Sequence, residues 1–259
     1  MQARVLLIRT AGTNCDRELA FAFERAGARV EEEHLLALRE RPQRIREVDL
    51  VALPGGFTYG DDLGAGRILA LELRRYLGDA LGEHHERGGS LFGVCNGFQA
   101  LVRAGLLPDL EGIHATLTWN RNHRFECRWV RLRVEAGLGH VLPAGSLLPA
   151  PVAHAEGRLV FRERGAPARL EEEGRIAFRY VDARGEPVED WPACPNGSTA
   201  AIAGLVSASG RIVGLMPHPE RNLSPAHLPD SRPGRWGDGT EGLAFFRGLL
   251  QPYGAGSPA

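Results

Sequence analysis

Residues 91–99 read LFGVCNGFQ, and this stretch decides the fold because it predicts a buried strand that turns sharply into a helix. Gly93 and Gly97 lie two positions before and after Cys95. A turn this tight needs glycine at both flanks, since a β-carbon there would clash with the neighbouring backbone. Three interpretations of Cys95 are open: a packed core thiol, a metal ligand, or a nucleophile held at the turn.

The setting of Cys95 favours the nucleophile. A free cysteine after an apolar run is often simply packed in the core. Here, however, the helix that follows would direct its first N–H groups at the sulfur, which favours the thiolate and could hold a developing oxyanion. The other cysteines are Cys15, Cys127 and Cys194, and their spacing with histidines does not fit a zinc site. We expect no metal.

Strands and helices alternate on both sides of this stretch in the first half of the chain. Strands are predicted at 4–8, 29–35, 48–53 and 90–94, and helices at 14–26, 66–89 and 96–107. Asn14 is a candidate N-cap and Gly27 a candidate end of the first helix. This alternation is typical of an α/β fold with a mostly parallel central sheet and helices on both faces.

The second half shows a different pattern. Short strands with turn signals between them are predicted at 123–135, 158–165, 175–182, 200–210 and 211–220, followed by a helix over 240–253. We expect these strands to extend the same sheet with antiparallel pairs, so that residues 1–259 form a single domain. The residues from about 250 to 259 are expected to fray.

Composition excludes several classes of function. The 259 residues carry a net charge of −1, so no strong field draws the chain to nucleic acid or to a membrane. All the basic residues are arginine, which rules out a Schiff-base lysine and a P-loop lysine. Four scattered cysteines and the absence of a long apolar run indicate a reduced, cytoplasmic protein without a membrane anchor.

The stretch MPHPE, residues 216–220, offers a base for the thiol. Prolines on both sides of His218 predict an extended chain, in which residues two apart point the same way. His218 and Glu220 would then emerge together, with the carboxylate orienting the imidazole and stabilising its cation. The alternative is a surface loop with a chance His and Glu.

The loop PGGFTYGDD, residues 54–62, follows another predicted strand. Its glycines let backbone N–H groups approach a ligand closely, although an ordinary turn would also fit. It lacks the G-x-G-x-x-G pattern of dinucleotide sites. Ligands of parallel α/β sheets gather at the carboxyl ends of the strands, where this loop and Cys95 both lie. Cys15 also lies between a strand and a helix, but without flanking glycines, and is interpreted either as structural or as a residue that supports the site without reacting.

Seven motifs in order resemble one family. They are GTNCD (12–16), GGFTYGDDLGAGRI (55–68), GVCNGFQAL (93–101), NRNHRFECRWV (120–130), HAEGR (154–158), PNGS with IAG (195–198 and 202–204) and GLMPHPER (214–221). Together they resemble class I, triad-type glutamine amidotransferases of flavodoxin-like fold. More narrowly, they are similar to the glutaminase subunits of phosphoribosylformylglycinamidine synthases, which act in purine biosynthesis.

The resemblance implies roles for particular residues. Cys95 would attack the side-chain amide of L-glutamine, with His218 as base and acid and Glu220 orienting His218. Backbone N–H groups of Asn96, Gly56 and Phe57 would form the oxyanion hole. Gly55 and Gln99 would contact the substrate glutamine.

The resemblance also implies partners. Ammonia would pass to a separate synthetase subunit that uses ATP and Mg to convert formylglycinamide ribonucleotide to its amidine. A small third subunit would bridge the two, and this chain itself would bind no cofactor. Three positions depart from the family pattern: Asn122, Ala155 and Cys194. None belongs to the triad.

Other interpretations stay open at this point. The chain could be the glutaminase component of another biosynthetic amidotransferase, although GTNCD and RFECRWV argue against it. It could be a cysteine hydrolase or stress protein of flavodoxin-like fold, but PHPE is not expected there. It could also be a binding module in which Cys95 is merely packed.

Overall fold

The computed structural model describes residues 2–254. The strands in this part of the chain are β1 (Arg4–Arg9), β2 (Arg29–His34), β3 (Leu50–Leu53), β4 (Ser90–Val94), β5 (Ala115–Thr118), β6 (Glu126–Val134), β7 (Leu147–His154), β8 (Arg158–Phe161), β9 (Ile176–Val181), β10 (Ile202–Val206) and β11 (Ile212–Leu215). The α-helices are α1 (Asp16–Arg25), α2 (Leu35–Glu40), α3 (Arg67–Glu72), α4 (Gly78–Glu86), α5 (Asn96–Arg103), α6 (Ala166–Glu172) and α7 (Glu241–Leu250).

Nine strands form one sheet in the order β2-β1-β3-β4-β11-β10-β9-β6-β7, and β5 pairs with β8 separately. The four strand pairs from β2 to β11 are parallel. From β11 to β7 the pairs are antiparallel. The predicted α/β class is confirmed, with a parallel half continued by antiparallel strands from the second half of the chain.

Helices cover both faces of the parallel half. Phe92 of β4 meets Phe23 of α1 and Phe246 of α7 in edge-to-face contacts, with ring centroids 6.0 Å and 5.9 Å away. The next residue, Gly93, faces the other way and lies against Leu101 of α5. Since successive residues of a strand point to opposite faces, α1 and α7 lie on one face and α5 on the other.

Several sequence expectations differ from the structure. Asn14 does not cap α1: Cys15 occupies the N-cap position, and no side chain bonds there. The long helix expected over 66–89 contains a π-helical stretch, Leu73–Leu77, between α3 and α4. The tail expected to fray from about 250 is ordered as far as Tyr253, whose hydroxyl lies 2.5 Å from Ser90 Oγ. The rest of that predicted tail, 255–259, lies outside the described residues.

Four elements of the structure are absent from the sequence-based prediction: α2, β5, α6 and β7. The omission of β7 matters most. Its sequence, LLPAPVAH, contains Pro149 and Pro151, which argue against a strand because proline cannot donate to a ladder. The structure resolves this conflict, because β7 is the edge strand of the sheet. Its proline positions face away from β6, where no donor is needed.

Candidate active site

Cys95 lies at the junction of β4 and α5, at the carboxyl edge of the parallel strands. Its backbone has φ 52° and ψ −108°, a conformation that non-glycine residues rarely adopt. A β-carbon at Gly97 would lie 2.0 Å from the carbonyl oxygen of Leu53, and one at Gly93 would lie 2.6 Å from Leu101 Cδ1. The predicted glycine elbow is therefore present, and its tightness is set by β3 and α5.

β11 brings His218 beside Cys95. β11 pairs in parallel with β4, Leu215 opposite Val94, so the residues that follow both strands meet at one edge. The backbone N–H of His218 donates to the carbonyl of Pro151 at 2.8 Å. The Cys95 sulfur in turn lies 3.8 Å from the carbonyl oxygen of Ala153. The missed strand β7 thus forms one wall of this site.

Glu220 holds the imidazole, as predicted, but through a different backbone geometry. His218 Nδ1 and Glu220 Oε1 are 2.6 Å apart, and both side chains are buried. The chain is not extended here, because a 3-10 turn begins at Pro219 and covers Pro219–Arg221. The turn brings the carboxylate back under the imidazole, so the contact is made within one helical turn rather than along one side of an extended chain.

The electrostatics of His218 favour the imidazolium. Burial by itself lowers the pKa of His218, but the carboxylate of Glu220 and the nearby Cys95 sulfur outweigh it and raise the pKa to about 10. His218 Nε2 is buried and bonds to no other residue of the 2–254 region. A protonated His218 with a free Nε2 beside a cysteine is suited to stabilise a thiolate and then to protonate a leaving group.

The turn at 54–57 covers the imidazole. A β-carbon on Gly55 would lie 2.9 Å from His218 Cε1 and 3.2 Å from Cys15 Sγ. The N–H of Phe57 donates to the carbonyl of Gly12 at 2.9 Å, so in this structure it is already bonded. The segment 12–15 thus braces the turn that was predicted to supply oxyanion donors.

Asn96 and Gln99 are both buried in α5. Asn96 is the first residue of the helix, so helical geometry gives its N–H no acceptor and leaves it for a ligand. Its side-chain oxygen accepts from Thr58 Oγ1 at 2.6 Å, and its Nδ2 donates to Gln99 Oε1 at 3.0 Å. Gln99 Nε2 donates to the carbonyl of Glu156 at 2.7 Å. Gln99 is thus bonded at both ends of its amide and fixes the wall around the thiol.

Cys15 lies beside the site but is not set up to react. Burial, together with Glu18, raises the pKa of the Cys15 thiol well above its usual range. Cys15, Glu18 and His218 could together offer ligand atoms to a metal. Arg221, however, lies 3.4 Å from Cys15 Sγ and 2.7 Å from Glu18 Oε1. This guanidinium supplies the positive charge that a metal would bring, and a non-reactive role for Cys15 stays a prediction.

Three motifs from the sequence meet behind the site in a buried polar network. Asn120 Nδ2 donates to the carbonyl of His154 at 2.9 Å, and Asn120 Oδ1 lies 3.1 Å from His154 Nδ1. Asn196 Nδ2 donates to the carbonyl of Gly157 at 2.8 Å. Burial and the charge of nearby His218 lower the pKa of His154 to about 3, so His154 is neutral. The motifs were recognised in the sequence, but their convergence was not.

The structure accommodates the three departures from the family pattern. Ala155 takes part through its carbonyl, which accepts from Asn120 N at 2.7 Å. Asn122 Oδ1 accepts from Arg124 N at 3.0 Å, closing a local turn. Cys194 is buried and its thiol donates to Asn196 Oδ1 at 3.4 Å. Each position is satisfied by the residue present.

The fold and the geometry around Cys95 are those of a glutamine amidotransferase domain, in which Cys95 is the candidate nucleophile. A CobB/CobQ-like glutamine amidotransferase domain model matches residues 2–251. The chain belongs to the family of phosphoribosylformylglycinamidine synthase PurQ subunits, which confirms the resemblance seen in its motifs.

Individual relatives support this assignment. The PurQ subunit of Dehalococcoides mccartyi is 46% identical over 231 residues, which are 88% of this chain and 89% of that protein. The PurQ subunit of Thermus thermophilus is 39% identical over 251 residues, 96% of this chain and 98% of that protein. A chain in the structure of PurLQS from Thermotoga maritima superposes with a TM-score of 0.74 at 29% identity, covering 98% of this chain and 100% of that chain.

A more distant neighbour shows the fold alone. A GMP synthase subunit from Thermoplasma acidophilum is 13% identical with a TM-score of 0.55, covering 98% of this chain and 96% of that chain. In residues 2–254, none of the helices combines the length and the apolarity needed to cross a bilayer.

Proposed function

We propose that this chain is the glutaminase subunit of phosphoribosylformylglycinamidine synthase and that Cys95, His218 and Glu220 are its catalytic triad. The observation that carries the proposal is the pairing of a strained cysteine with a buried His218, whose Nδ1 lies 2.6 Å from Glu220 Oε1. Family membership supports the substrate, L-glutamine, and the pathway, purine biosynthesis.

The proposed reaction has two halves. The Cys95 thiolate attacks the side-chain amide carbon of glutamine, forming a C–S bond and a tetrahedral oxyanion. His218 donates its proton to the amide nitrogen, the C–N bond breaks, and ammonia leaves a γ-glutamyl thioester. Water then attacks the thioester while His218 takes its proton, and glutamate departs as the thiolate returns. Glu220 keeps His218 in place and stabilises its cation throughout.

The oxyanion needs donors that are ready before the reaction. The N–H of Asn96 meets this need at the start of α5. Gly56 and Phe57 are the proposed second source, and the bond from Phe57 N–H to Gly12 would have to open for Phe57 to take part. Gly55 packs against the imidazole, and Gln99 shapes the pocket through its bonds to Asn96 and Glu156.

Ammonia is of use only if a partner accepts it. We place the synthetase subunit of phosphoribosylformylglycinamidine synthase in this role, with ATP and Mg bound there and no cofactor on this chain. The similarity to a chain of the PurLQS structure supports this partner. A small bridging subunit completes the proposed complex, and the cytoplasm is its proposed location.

Substitution of Cys95 tests the assignment. We expect Cys95→Ala, mixed with the synthetase subunit, to form no amidine from glutamine, because no thioester can form. The same mixture should work when ammonia is supplied directly. The measurement is ATP-dependent turnover of formylglycinamide ribonucleotide with each nitrogen source.

Cys15→Ser is the matched control, since Cys15 is the second buried thiol beside His218. It should keep most of the glutamine-dependent activity. Full glutamine-dependent turnover by Cys95→Ala, or its loss in Cys15→Ser alone, would show that the nucleophile is misassigned. Loss of the ammonia-driven activity in Cys95→Ala would indicate instead that the complex fails to assemble.

A further inference from the structure

We propose that an exposed face formed by Phe57, Phe125 and Trp191, with Arg124 and Arg128, is where the ammonia-accepting synthetase subunit docks. We call these five residues the aromatic face. The inference rests on the proposed function, because it needs a partner that takes ammonia from the Cys95 site. It adds to that function the position of the contact and the chemistry that the partner must present.

The aromatic face exposes large apolar groups to solvent. Phe57 is 45% exposed, Phe125 51% and Trp191 61%. The rings of Phe57 and Phe125 stack with centroids 6.4 Å apart. The guanidinium carbon of Arg128 lies 4.7 Å from the ring centroid of Trp191. Clustered exposed aromatics beside arginines are the composition that protein–protein interfaces favour, and they are unusual on free surfaces.

A groove gives this face a shape that a partner can fill. It has a volume of about 640 Å³ and is lined by residues 124–128, Asn122 and Trp191. Trp191 is fixed at its edge because the indole Nε1 donates to Glu126 Oε1 at 3.2 Å. Glu126 is itself buried, so the edge of the groove is anchored from below.

The exposed segment 121–125 is held rigidly by the buried network beneath it. All five residues of the segment are exposed, whereas Asn120, which precedes it, is fully buried. Asn120 Nδ2 donates to the carbonyl of Arg124 at 2.8 Å. The N–H of Arg121 donates to the carbonyl of Asn196 at 3.0 Å. A loop fixed before binding loses little conformational entropy on binding, which favours a docking role.

A docking role for the exposed loop accounts for three motifs that take no part in the proposed reaction. NRNHRF, HAEGR and PNGS supply the network, yet the proposed reaction assigns them no proton or bond. The hydrogen bonds from Asn120 to the carbonyls of Arg124 and His154 fix one position of the chain above the network. The position that it fixes here is that of an exposed loop whose Phe125 stacks on Phe57.

Phe57 connects the aromatic face to the reaction. It belongs to the turn proposed to supply oxyanion donors, and its ring reaches the surface. The face therefore lies at the rim of the catalytic site, where a protein that receives ammonia must sit if ammonia is not to escape into solvent.

Charge favours the synthetase subunit over a second copy of this chain. Arg124 forms no ion pair with any residue between 2 and 254, while Arg128 pairs with Glu126 at 2.7 Å. Arg121 and Asp190 lie 3.9 Å apart, so Arg124 is the arginine of this loop that has no carboxylate partner among residues 2–254. A second copy would present the same unpaired arginine, whereas a different chain with an acidic group and apolar residues is complementary to Arg124 and the aromatic rings.

Binding measurements with surface variants test the proposal. The purified synthetase subunit of the same organism is immobilised, and its dissociation constant for this chain is measured by biolayer interferometry. We expect Phe125→Ala to weaken binding by about 10-fold or more, the effect of removing an aromatic anchor. Arg124→Glu should weaken it as well and reduce its dependence on salt. Phe21→Ala is the matched control, since Phe21 is 49% exposed on α1, and it should stay within about twofold of wild type.

The outcomes separate this proposal from the function on which it rests. If both Phe125→Ala and Arg124→Glu bind the synthetase subunit with the affinity of the wild type, the docking face is wrong, while the proposed function is unaffected. Self-association that is lost in Phe125→Ala, with unchanged affinity for the synthetase, would assign the face to a second copy and overturn the proposal too. Failure of the proposed function would give a different result: the wild-type protein, mixed with the synthetase subunit, would form no amidine from glutamine. Urea unfolding of each variant verifies that it is folded.

Discussion

At the scale of single residues, the site depends on how His218 is held. Its buried imidazole would be neutral in an apolar pocket, but Glu220 and Cys95 reverse this and raise the pKa to about 10. The imidazolium therefore persists across the neutral range and loses its proton only as the pH rises through about 10. Cys15 lies a few ångströms away, and there burial has the dominant effect. It raises the pKa of the Cys15 thiol, which stays protonated.

Glu220→Gln should move the pH dependence of the reaction. Without the carboxylate, burial dominates and the pKa of His218 falls, so the proton needed by departing ammonia is lost at lower pH. We expect glutamine-dependent kcat at pH 8 to fall by about 10-fold or more, with the alkaline limb of the profile displaced toward neutral pH. The measurement is kcat against pH for the complex with the synthetase subunit.

Glu135→Gln is the control for this experiment. Glu135 is a partly buried carboxylate that pairs with Arg133 at 3.0 Å, just past the end of β6 that is remote from Cys95. Its substitution should leave the pH profile in place. An alkaline limb that stays where it is in Glu220→Gln would contradict the role given to Glu220.

At the scale of elements, the elbow between β4 and α5 is fixed by close packing against β3. The glycine at 97 lets α5 start directly over the carbonyl of Leu53. This contact places the start of the helix, and with it the N–H of Asn96, next to the sulfur. The strain at Cys95 is maintained because the surrounding elements leave the chain no other path.

Gly97→Ala should destabilise the protein. The added methyl group would lie 2.0 Å from the Leu53 carbonyl oxygen, which belongs to a buried strand and cannot easily move. Overpacking of this kind costs about 1–3 kcal/mol of the free energy of unfolding, and more where backbone must shift. Urea unfolding followed by circular dichroism measures the loss.

Gly82→Ala is the matched control within α4. A β-carbon there meets nothing within 4 Å, and alanine is a better helix former than glycine. This variant should be as stable as wild type or more stable by up to about 1 kcal/mol. Equal losses of unfolding free energy in Gly97→Ala and Gly82→Ala would contradict a steric clash at position 97.

The edge strand β7 was not predicted from the sequence, yet its backbone contacts the residues of the site. Its carbonyls at Pro149, Pro151 and Ala153 face Asn222, the backbone N–H of His218 and the Cys95 sulfur. Two of these three residues are prolines and present no N–H toward the site. These prolines argued against a strand in the sequence. In the structure they leave this edge of β7 with carbonyl acceptors and few N–H donors.

At the scale of the whole molecule, one sheet connects both halves of the chain. β11 lies between β4 of the first half and β10 of the second, and β9, β6 and β7 continue from there. The proposed catalytic residues come from both halves, since Cys95 follows β4 and His218 follows β11. We propose on this basis that the chain is a single domain.

Thermal unfolding tests the single domain. We expect one calorimetric transition, with a van't Hoff enthalpy equal to the calorimetric enthalpy, because neither half has a complete sheet without the other. Two transitions, or a calorimetric enthalpy clearly larger than the van't Hoff value, would show that the halves unfold separately. The same scan on the complex would report any stabilisation by the partner.

Much of this architecture could be predicted from local patterns. The elbow glycines, the strand that precedes Cys95 and the proximity of His218 to Glu220 are short-range features, and each was predicted correctly. The predictions failed where local and long-range preferences conflict, as at Asn14, which does not cap α1, and in β7. The extended chain predicted through His218 also failed, because Pro219 begins a 3-10 turn.

The sequence alone was enough to predict the proposed nucleophile, base and orienting carboxylate, because each stands in a short motif with characteristic spacing. Only the tertiary structure decided how they meet, since Cys95 and His218 are far apart in the chain and are joined by the pairing of β4 with β11. It also decided that Phe57 N–H is bonded to Gly12 and that the segment 121–125 rests on a buried network. Those contacts depend on residues distant in sequence, which no local pattern encodes.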